Sequence, residues 1–499
     1  MQLNRIKNPA LHNKIKAVDE IVDLFNDGAV VASSGFTKAG DSKVVLPALA
    51  KKNAEHPIKI TLITGASLGH DTDAKLTQAG VLARRMPFQV DRVLRNAINR
   101  GDVLFVDQNL SETSEMLTDN QLPDIDIAIV EAAFITDEGA IVPTTSVGNT
   151  PIFIEKAKKV VIEINTAVNM NIYGLHDIYL PEAYPNRQPI QILRPNDRIG
   201  LPYIPINPEK IEAIVFTNIQ DSPADVAEID QKTAAIAKHL IAFFDKEVQN
   251  GRLTKSLRPL QAGIGKVANA VLAGLGKGDF EGLSMYSEVL QDSTFDLIDT
   301  GKLVFASAAS VTVSDSCYAR VFGNLDNYRN KIVLRPQSIS NAAEVIRRLG
   351  IIGINTAIEF DIYGNVNSSH IGGTHMMNGI GGSGDFARNA HISIFVTQAA
   401  SKDNTISHVL PMVTHVDHNE HNVDVVVTDM GYADLRGLAP RERAAIIINH
   451  CAHPDYKEEL QSYLDRAIEQ VGGQTPHLLN EAFLWHQRLR ETGSMKRNL

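Results

Sequence analysis

The sequence predicts an α/β protein made of two related layered domains. Two observations carry that prediction. Short apolar runs rich in β-branched residues recur between stretches with helical spacing, and a segment in one half echoes a segment in the other. In the first half the runs are Ala29–Ala32, Ile58–Ile63, Val103–Val106, Ile125–Val130 and Val160–Ile164. In the second they are Leu303–Ala306, Lys331–Leu334, Ile392–Val396 and Val423–Val427. Runs this short suit strands covered on both faces, and their alternation with helices implies α/β layers.

Between the halves lies a proline-rich stretch, Leu180–Pro208, with seven prolines at irregular intervals and apolar residues among them. It reads as an extended surface excursion rather than as disorder. A long helix is predicted over Asp225–Asn250. Ser222 and Pro223 supply an N-cap and a proline at the first helical position. Ile229, Ile236, Leu240, Phe243 and Val248 recur at helical spacing, and Gly251 closes the helix. The internal echo pairs Ile135–Thr145 with Phe360–Ser369, and Gly35 with Gly263, each opening a glycine-rich turn before a helix. A boundary is therefore expected near residue 220, giving domains over 1–220 and 221–499, the second of them carrying Glu288.

Composition narrows the function classes. A chain of 499 residues can bury more than one core, and 44% hydrophobic with 21% charged residues is ordinary for a soluble globular protein. The formal charge of −10 opposes bulk attraction to nucleic acid or an anionic membrane. A local basic patch for an anionic ligand stays compatible with it. Two cysteines, Cys317 and Cys451, are too few for a disulfide framework or a cysteine-rich metal site, and suit a reducing, cytoplasmic setting. No run approaches the roughly 18 apolar residues of a membrane span. Met1–Glu20 has no secretory pattern, and the early acids Asp19 and Glu20 argue against a transit peptide.

Three segments carry chemistry. Met285–Ser293 sets one carboxylate, Glu288, among small and polar neighbours after the apolar Leu283–Tyr286. Gln261–Ala270 and Met376–Phe386 are glycine-rich. A glutamate is ionised at neutral pH without a partner base, and in a desolvated cleft it can attack a carbonyl. Backbone amides in glycine-rich turns can hold the resulting oxyanion. Gly379–Gly384 also satisfies a G-x-G-x-x-G pattern. It lacks the preceding buried strand and following long helix that a dinucleotide site needs. His415–His421 holds imidazoles and carboxylates at metal-like spacing, but it follows Pro411 and precedes a strand, so an interdomain polar network is the reading preferred to a metal site.

Together the three segments resemble the class I coenzyme A transferases, in the acetyl-CoA hydrolase/transferase branch, and most closely its succinyl-CoA:acetate CoA-transferase type. The resemblance extends through Ser34–Thr37, Thr64–Ser67, Ile141–Asn149, Cys451–Tyr456 and Thr475–Leu479. It implies two CoA-transferase-type α/β domains packed together with the active site between them. It implies Glu288 as the nucleophile that forms a glutamyl-CoA thioester, and the amides of Ile264 and Gly382 as oxyanion donors. Expected CoA contacts are Gly263, Ile264, Gly265, Lys266, Val267, Asn341, Ile358, Asn378, Gly382 and Lys402. Coenzyme A is then a substrate, with no prosthetic group and no metal. Partners are acyl-CoA and short-chain carboxylates, with a homodimer as the family assembly. One departure bears on specificity. Gly35–Lys43 lacks the proline after the threonine and the aromatic after the second glycine of the commonest family form, and this segment is a candidate lining of the carboxylate pocket.

The leading reading is transfer of CoA between short carboxylic acids. Acetyl-CoA hydrolysis by the same glutamate is the nearest alternative. A sugar-phosphate isomerase would need a base and a phosphate cradle without a CoA-length groove. A non-enzymatic acyl-CoA-binding regulator would need an inert Glu288.

Overall fold

The computed structural model describes residues 2–225 and 228–497. The chain forms two compact units that are not contiguous in sequence. The first comprises Met1–Asp225, Met285–Ile298 and Val304–Leu349; the second comprises Val226–Ser284, Asp299–Leu303 and Gly350–Leu499. The segment that carries Glu288 therefore belongs to the first unit.

In the first unit seven strands form one parallel sheet: β1 (Val30–Ser33), β2 (Ile60–Thr64), β3 (Leu82–Met86), β4 (Leu104–Phe105), β5 (Ile127–Ala132), β6 (Lys159–Asn165) and β7 (Ile211–Thr217), in the order β4-β3-β2-β1-β5-β6-β7. All six residues of β5 are buried, which is what a strand without polar alternation requires. Two of these strands were not among the predicted runs. In β3 the sequence Leu-Ala-Arg-Arg-Met hides the pattern because Arg85 is itself fully buried, its Nε donating to Asp73 Oδ1 at 2.8 Å and its Nη1 to Thr64 Oγ1 at 2.8 Å. β7 is the other, at the sheet's edge. Leu46, Ile60, Leu62, Leu82, Leu94 and Ile127 belong to one cluster that packs helices on this sheet.

The second unit has its own parallel run, Leu260–Ala262 beside Ile352–Thr356, then Ile392–Val396, then Val425–Val427, with Tyr432–Asp434 antiparallel to the last. Phe360, Phe395, Val426, Ile447, Tyr456 and Trp485 share its core with the helices Pro440–Cys451 and Pro454–Gln470.

The internal echo corresponds to a repeated local structure. Phe134–Ile135 pairs antiparallel with Ile141–Val142, and Glu359–Asp361 pairs antiparallel with Val366–Asn367. Each hairpin turns through a glycine at positive φ, Gly139 at +87° and Gly364 at +95°, where a side chain would be strained. Gly35 and Gly263 likewise follow a parallel strand, β1 and Leu260–Ala262, each in its own sheet.

The long helix starts later than its sequence suggests. It spans Gln231–Gln249, and its N-cap is Asp230, whose side chain accepts from Thr233 N at 2.8 Å. Of the residues expected before it, Val226 and Ala227 lie outside the described residues. Ser222 serves elsewhere: its hydroxyl accepts from the His70 amide at 2.8 Å. The proline-rich stretch forms no strand or helix between Ile172 and Pro208. It exposes Tyr184 and Leu193 while burying Ile190 and Ile192. Among the described residues no helix is long and apolar enough to cross a membrane.

Candidate functional site

Glu288 occupies a pinned stretch of backbone. The strand Leu283–Tyr286 buries Met285 and Tyr286 completely or nearly so, and the Tyr286 hydroxyl donates to Ile339 O at 2.5 Å. The amide of Ser287 donates to Ser307 O at 2.9 Å. The carbonyl of Glu288 accepts two amides, Ala309 N at 2.9 Å and Ser310 N at 3.0 Å. Val289–Leu290 then pairs with Ser310–Val311 in a short parallel ladder. The Glu288 side chain is half-buried, whereas its neighbours Ser287 and Val289 are buried.

Asn341 orients the carboxylate. It is fully buried, and its Nδ2 donates to Glu288 Oε1 at 3.0 Å. Its orientation is fixed from behind, because Oδ1 accepts from Ser340 Oγ at 2.8 Å. An amide held this way presents its donor, not its acceptor, to the carboxylate.

Other motifs of the first unit gather around this stretch. Val147 N donates to Ala309 O and Val311 N to Thr145 O, each at 2.9 Å, so the Pro143–Asn149 segment flanks the Glu288 ladder. Phe36, Ala66, Leu110, Val289 and Ala309 form an apolar cluster. Gly65 is required by close approach, since a Cβ there would stand 2.7 Å from Gly35 O. The Gly35–Lys43 segment rests on buried charges. Lys43 Nζ lies 2.6 Å from Glu131, 2.9 Å from Asp221 and 3.5 Å from Asp41. Burial works against the Lys43 charge, yet Asp221, Glu131 and Asp41 together raise its pKa. Burial also pushes the Glu131 carboxyl well above the usual carboxylate range, against the pull of Lys43. Asp221 ties the loop down: Gly40 N donates to it at 3.0 Å, and the Thr145 hydroxyl donates to its other oxygen. Thr312 Oγ1 holds Thr37 O at 2.6 Å. No sequence signal announces this cluster, because its members are scattered over different strands and loops.

The remaining expected residues lie in the second unit. Gly263 N donates to Ile354 O at 2.9 Å, and Gly265 caps the helix Lys266–Lys277. Ile264 is 46% exposed, an uncovered apolar side chain on a glycine-flanked turn. Val267 is half-buried in the first helical turn. Lys266 is engaged by protein: its Nζ sits 2.7 Å from Asp230 Oδ2, and this bond is the first cause that draws the Asp230 pKa down. Lys402 is exposed on a turn pinned by Lys232, whose Nζ donates to Ala400 O at 3.0 Å and Ser401 O at 2.9 Å. Asp230 and Lys232 flank the start of one helix, so the Lys266 and Lys402 segments meet there.

Gly382 is buried and caps the short helix Ser383–Ala387, with Gly381 before it at φ +61°. Asn378 is half-buried just upstream. Ile358 N donates to Asn367 O at 2.9 Å, which makes this residue a hairpin member. The turn before Gly379 is a two-residue hairpin arm, His375–Met376 against His370–Ile371, so Gly379–Gly384 has none of the setting of a dinucleotide loop.

Asp417 and His418 hold the two ends of this excursion. Asp417 accepts from Ser368 N at 2.7 Å and from Ser369 Oγ at 2.8 Å. His418 Nε2 lies 3.0 Å from Ser383 Oγ, and its ring packs on Phe395 at 4.6 Å. Burial keeps the His418 pKa below the usual histidine value. The expectation of an interdomain network is corrected here, since every partner named lies within the second unit. Among the described residues no group of three or more His, Cys, Asp or Glu side chains is arranged to hold a metal ion.

Comparison with known proteins matches both halves of the chain. Residues 2–216 match the acetyl-CoA hydrolase/transferase N-terminal domain, and residues 318–464 match the C-terminal domain of the same family. The chain is 48% identical over 494 residues to succinyl-CoA:acetate CoA-transferase of Clostridium kluyveri, covering 99% of this chain and 92% of that protein. It is 43% identical over 509 residues to acetyl-CoA hydrolase of Neurospora crassa, covering 98% and 97%. Its fold is similar to that of 4-hydroxybutyrate CoA-transferase from Porphyromonas gingivalis, with a TM-score of 0.62 at 20% identity, covering 92% and 98%. With matched domains spanning most of its length and relatives of this identity, the chain belongs to the acetyl-CoA hydrolase/transferase family of enzymes.

Proposed function

We propose that this enzyme moves CoA between short-chain acyl-CoA and carboxylic acids, with succinyl-CoA and acetate as the leading pair, through a thioester on Glu288. The observation that carries this reading is the Asn341–Glu288 hydrogen bond at 3.0 Å, which aims a half-buried carboxylate from a fixed backbone. A Glu288 oxygen attacks the thioester carbonyl and expels CoA thiolate, leaving a mixed anhydride. The thiolate then attacks the glutamyl carbonyl and releases the first acid as its carboxylate. A second carboxylate reverses the two steps and leaves as the new acyl-CoA, with Glu288 regenerated. We assign the oxyanion donors to the amides of Ile264 and Gly382, and CoA contacts to Gly263, Gly265, Lys266, Val267, Asn341, Ile358, Asn378 and Lys402. Coenzyme A acts here as substrate and no prosthetic group is invoked. A homodimer in the cytoplasm belongs to the same proposal, and the unpaired, buried Cys317 and Cys451 suit a reducing setting.

The test is covalent capture. Incubation with acyl-CoA is expected to raise the intact mass by that of CoA less water, with the adduct on the Met285–Ser293 peptide. An adduct elsewhere, or turnover without one, rejects the mechanism. Glu288→Ala is expected to abolish both. A second reading, acetyl-CoA hydrolysis, is favoured by relatives named for that activity.

A further inference from the structure

Three helices of the second unit border an open cleft of about 500 Å³ whose chemistry the proposed reaction does not use. His239 and Lys246 reach it from Gln231–Gln249, seven positions apart and so on one face. Asn449 and His450 reach it from the end of Pro440–Cys451, and Lys457 from the first turn of Pro454–Gln470. Met430 and Tyr432 line it between them. Lys266 is held at the other end of the first helix, by the cap residue Asp230. Lys246 is about 24 Å from that cap along the helix axis, at ~1.5 Å per residue.

The cleft is cationic in a chain whose formal charge is −10. Asp434 is its one acidic lining residue, and that carboxylate is already matched, taking Arg436 Nε at 2.8 Å and Nη2 at 2.7 Å. Arg436 also serves Glu247, at 3.1 and 3.0 Å, so no guanidinium fork is left for a carboxylate ligand. What remains are lysine ammoniums and imidazoles, compact donors that suit the tetrahedral oxygens of phosphate. Lys457 is steadied by donating to Asn449 O at 2.5 Å, and His450 Nδ1 by Tyr432 O at 3.3 Å. The volume lies within the range of small-molecule sites and is far larger than an inorganic phosphate needs. Met430 is 39% exposed, and the Tyr432 ring is set by an edge contact to Phe243 at 5.7 Å. Together they offer a soft face to a flat or apolar body.

We propose that this cleft binds a phosphate monoester of nucleoside-monophosphate size, at a site separate from that of acyl-CoA. The probe is AMP, titrated calorimetrically into the full-length protein beside inorganic phosphate. Saturable AMP binding, tighter than that of phosphate, is expected. Lys246→Ala and the double variant Lys246→Ala/Lys457→Ala are expected to weaken it, the double by about tenfold or more, the scale of lost charged hydrogen bonds. Lys238→Ala, exposed on the same helix but outside the cleft lining, is expected to leave it unchanged. Saturating free CoA is also expected to leave it unchanged. Absence of saturable AMP binding, or equal binding by a folded double variant, overturns the site. Phosphate binding as tightly as AMP overturns the ligand class. Strict competition by CoA overturns its independence and assigns the cleft to substrate. None of these outcomes depends on whether the Glu288 thioester forms.

Discussion

At the scale of single residues the site rests on Asn341, which joins a buried amide to the Glu288 carboxylate. Removing it deletes one hydrogen bond to a charged group, worth roughly 1.5–3 kcal/mol. Asn341→Ala is expected to lower kcat by about tenfold to a hundredfold, with a smaller change in KM for acyl-CoA, measured by steady-state kinetics. Asn341→Asp is expected to be worse, since two carboxylates would face each other. His176 supports the same unit differently. Its Nε2 lies 2.8 Å from Thr144 O, and burial pushes its pKa down to about 4. The unfolded chain takes a proton near pH ~6.5 and the folded one only near the lower value, so acid favours unfolding between the two. Stability carried by His176 is therefore present above that window and lost as the pH falls through it. Going from pH 7 to pH 5 is expected to cost about 2 kcal/mol through this residue. Urea unfolding at the two pH values checks it, and His176→Gln is expected to flatten that slope.

At the scale of elements the glycine-rich turn is held by the segment that resembled a metal site. Asp417 fixes the entry at Ser368 and Ser369, and His418 fixes the exit at Ser383, next to Gly382. If the Gly382 amide serves the oxyanion, loosening the exit should reduce kcat before it reduces acyl-CoA affinity. His418→Ala is expected to lower kcat by roughly tenfold or more, against roughly a hundredfold for losing a donor outright in Gly382→Val. Hydrogen exchange over residues 370–383 is expected to quicken in His418→Ala, while the helix Gln231–Gln249 keeps its protection. An unchanged kcat in a folded variant would remove the clamp from catalysis. The elements also show where sequence patterns reach their limit. Ile392–Val396 was legible to the residue because every side chain in it is apolar or small and every one is buried. β3 was not legible, because Arg85 is buried with Asp73 as its partner and no local pattern reveals a partner. The long helix was legible in its apolar spacing but not in its start, because Asp230 caps it in place of Ser222.

At the scale of the whole molecule the question is whether water or a carboxylate is the acceptor at the thioester proposed on Glu288. Water is always present, so transfer requires that it be excluded from the activated carbon. Acetyl-CoA is expected to be consumed slowly in buffer and much faster once succinate or another accepted acid is added, with new acyl-CoA formed in step. The measurement is free CoA against new acyl-CoA under matched conditions. Equal release of free CoA with and without carboxylate would establish the hydrolase reading. The sequence by itself determined the α/β class, the two families of strands, the echo between the two halves and the segments that mark the family, because these depend on local patterns of apolar residues and glycines. Only the tertiary structure decided that the Glu288 segment joins the first unit, that Asn341 rather than a neighbouring residue orients its carboxylate, that Lys266 is held by Asp230, and that Lys43 is buried among three carboxylates. Each of those facts is a pairing between residues distant in the chain, and a hydrogen bond or ion pair has no signature until the fold brings its two ends together.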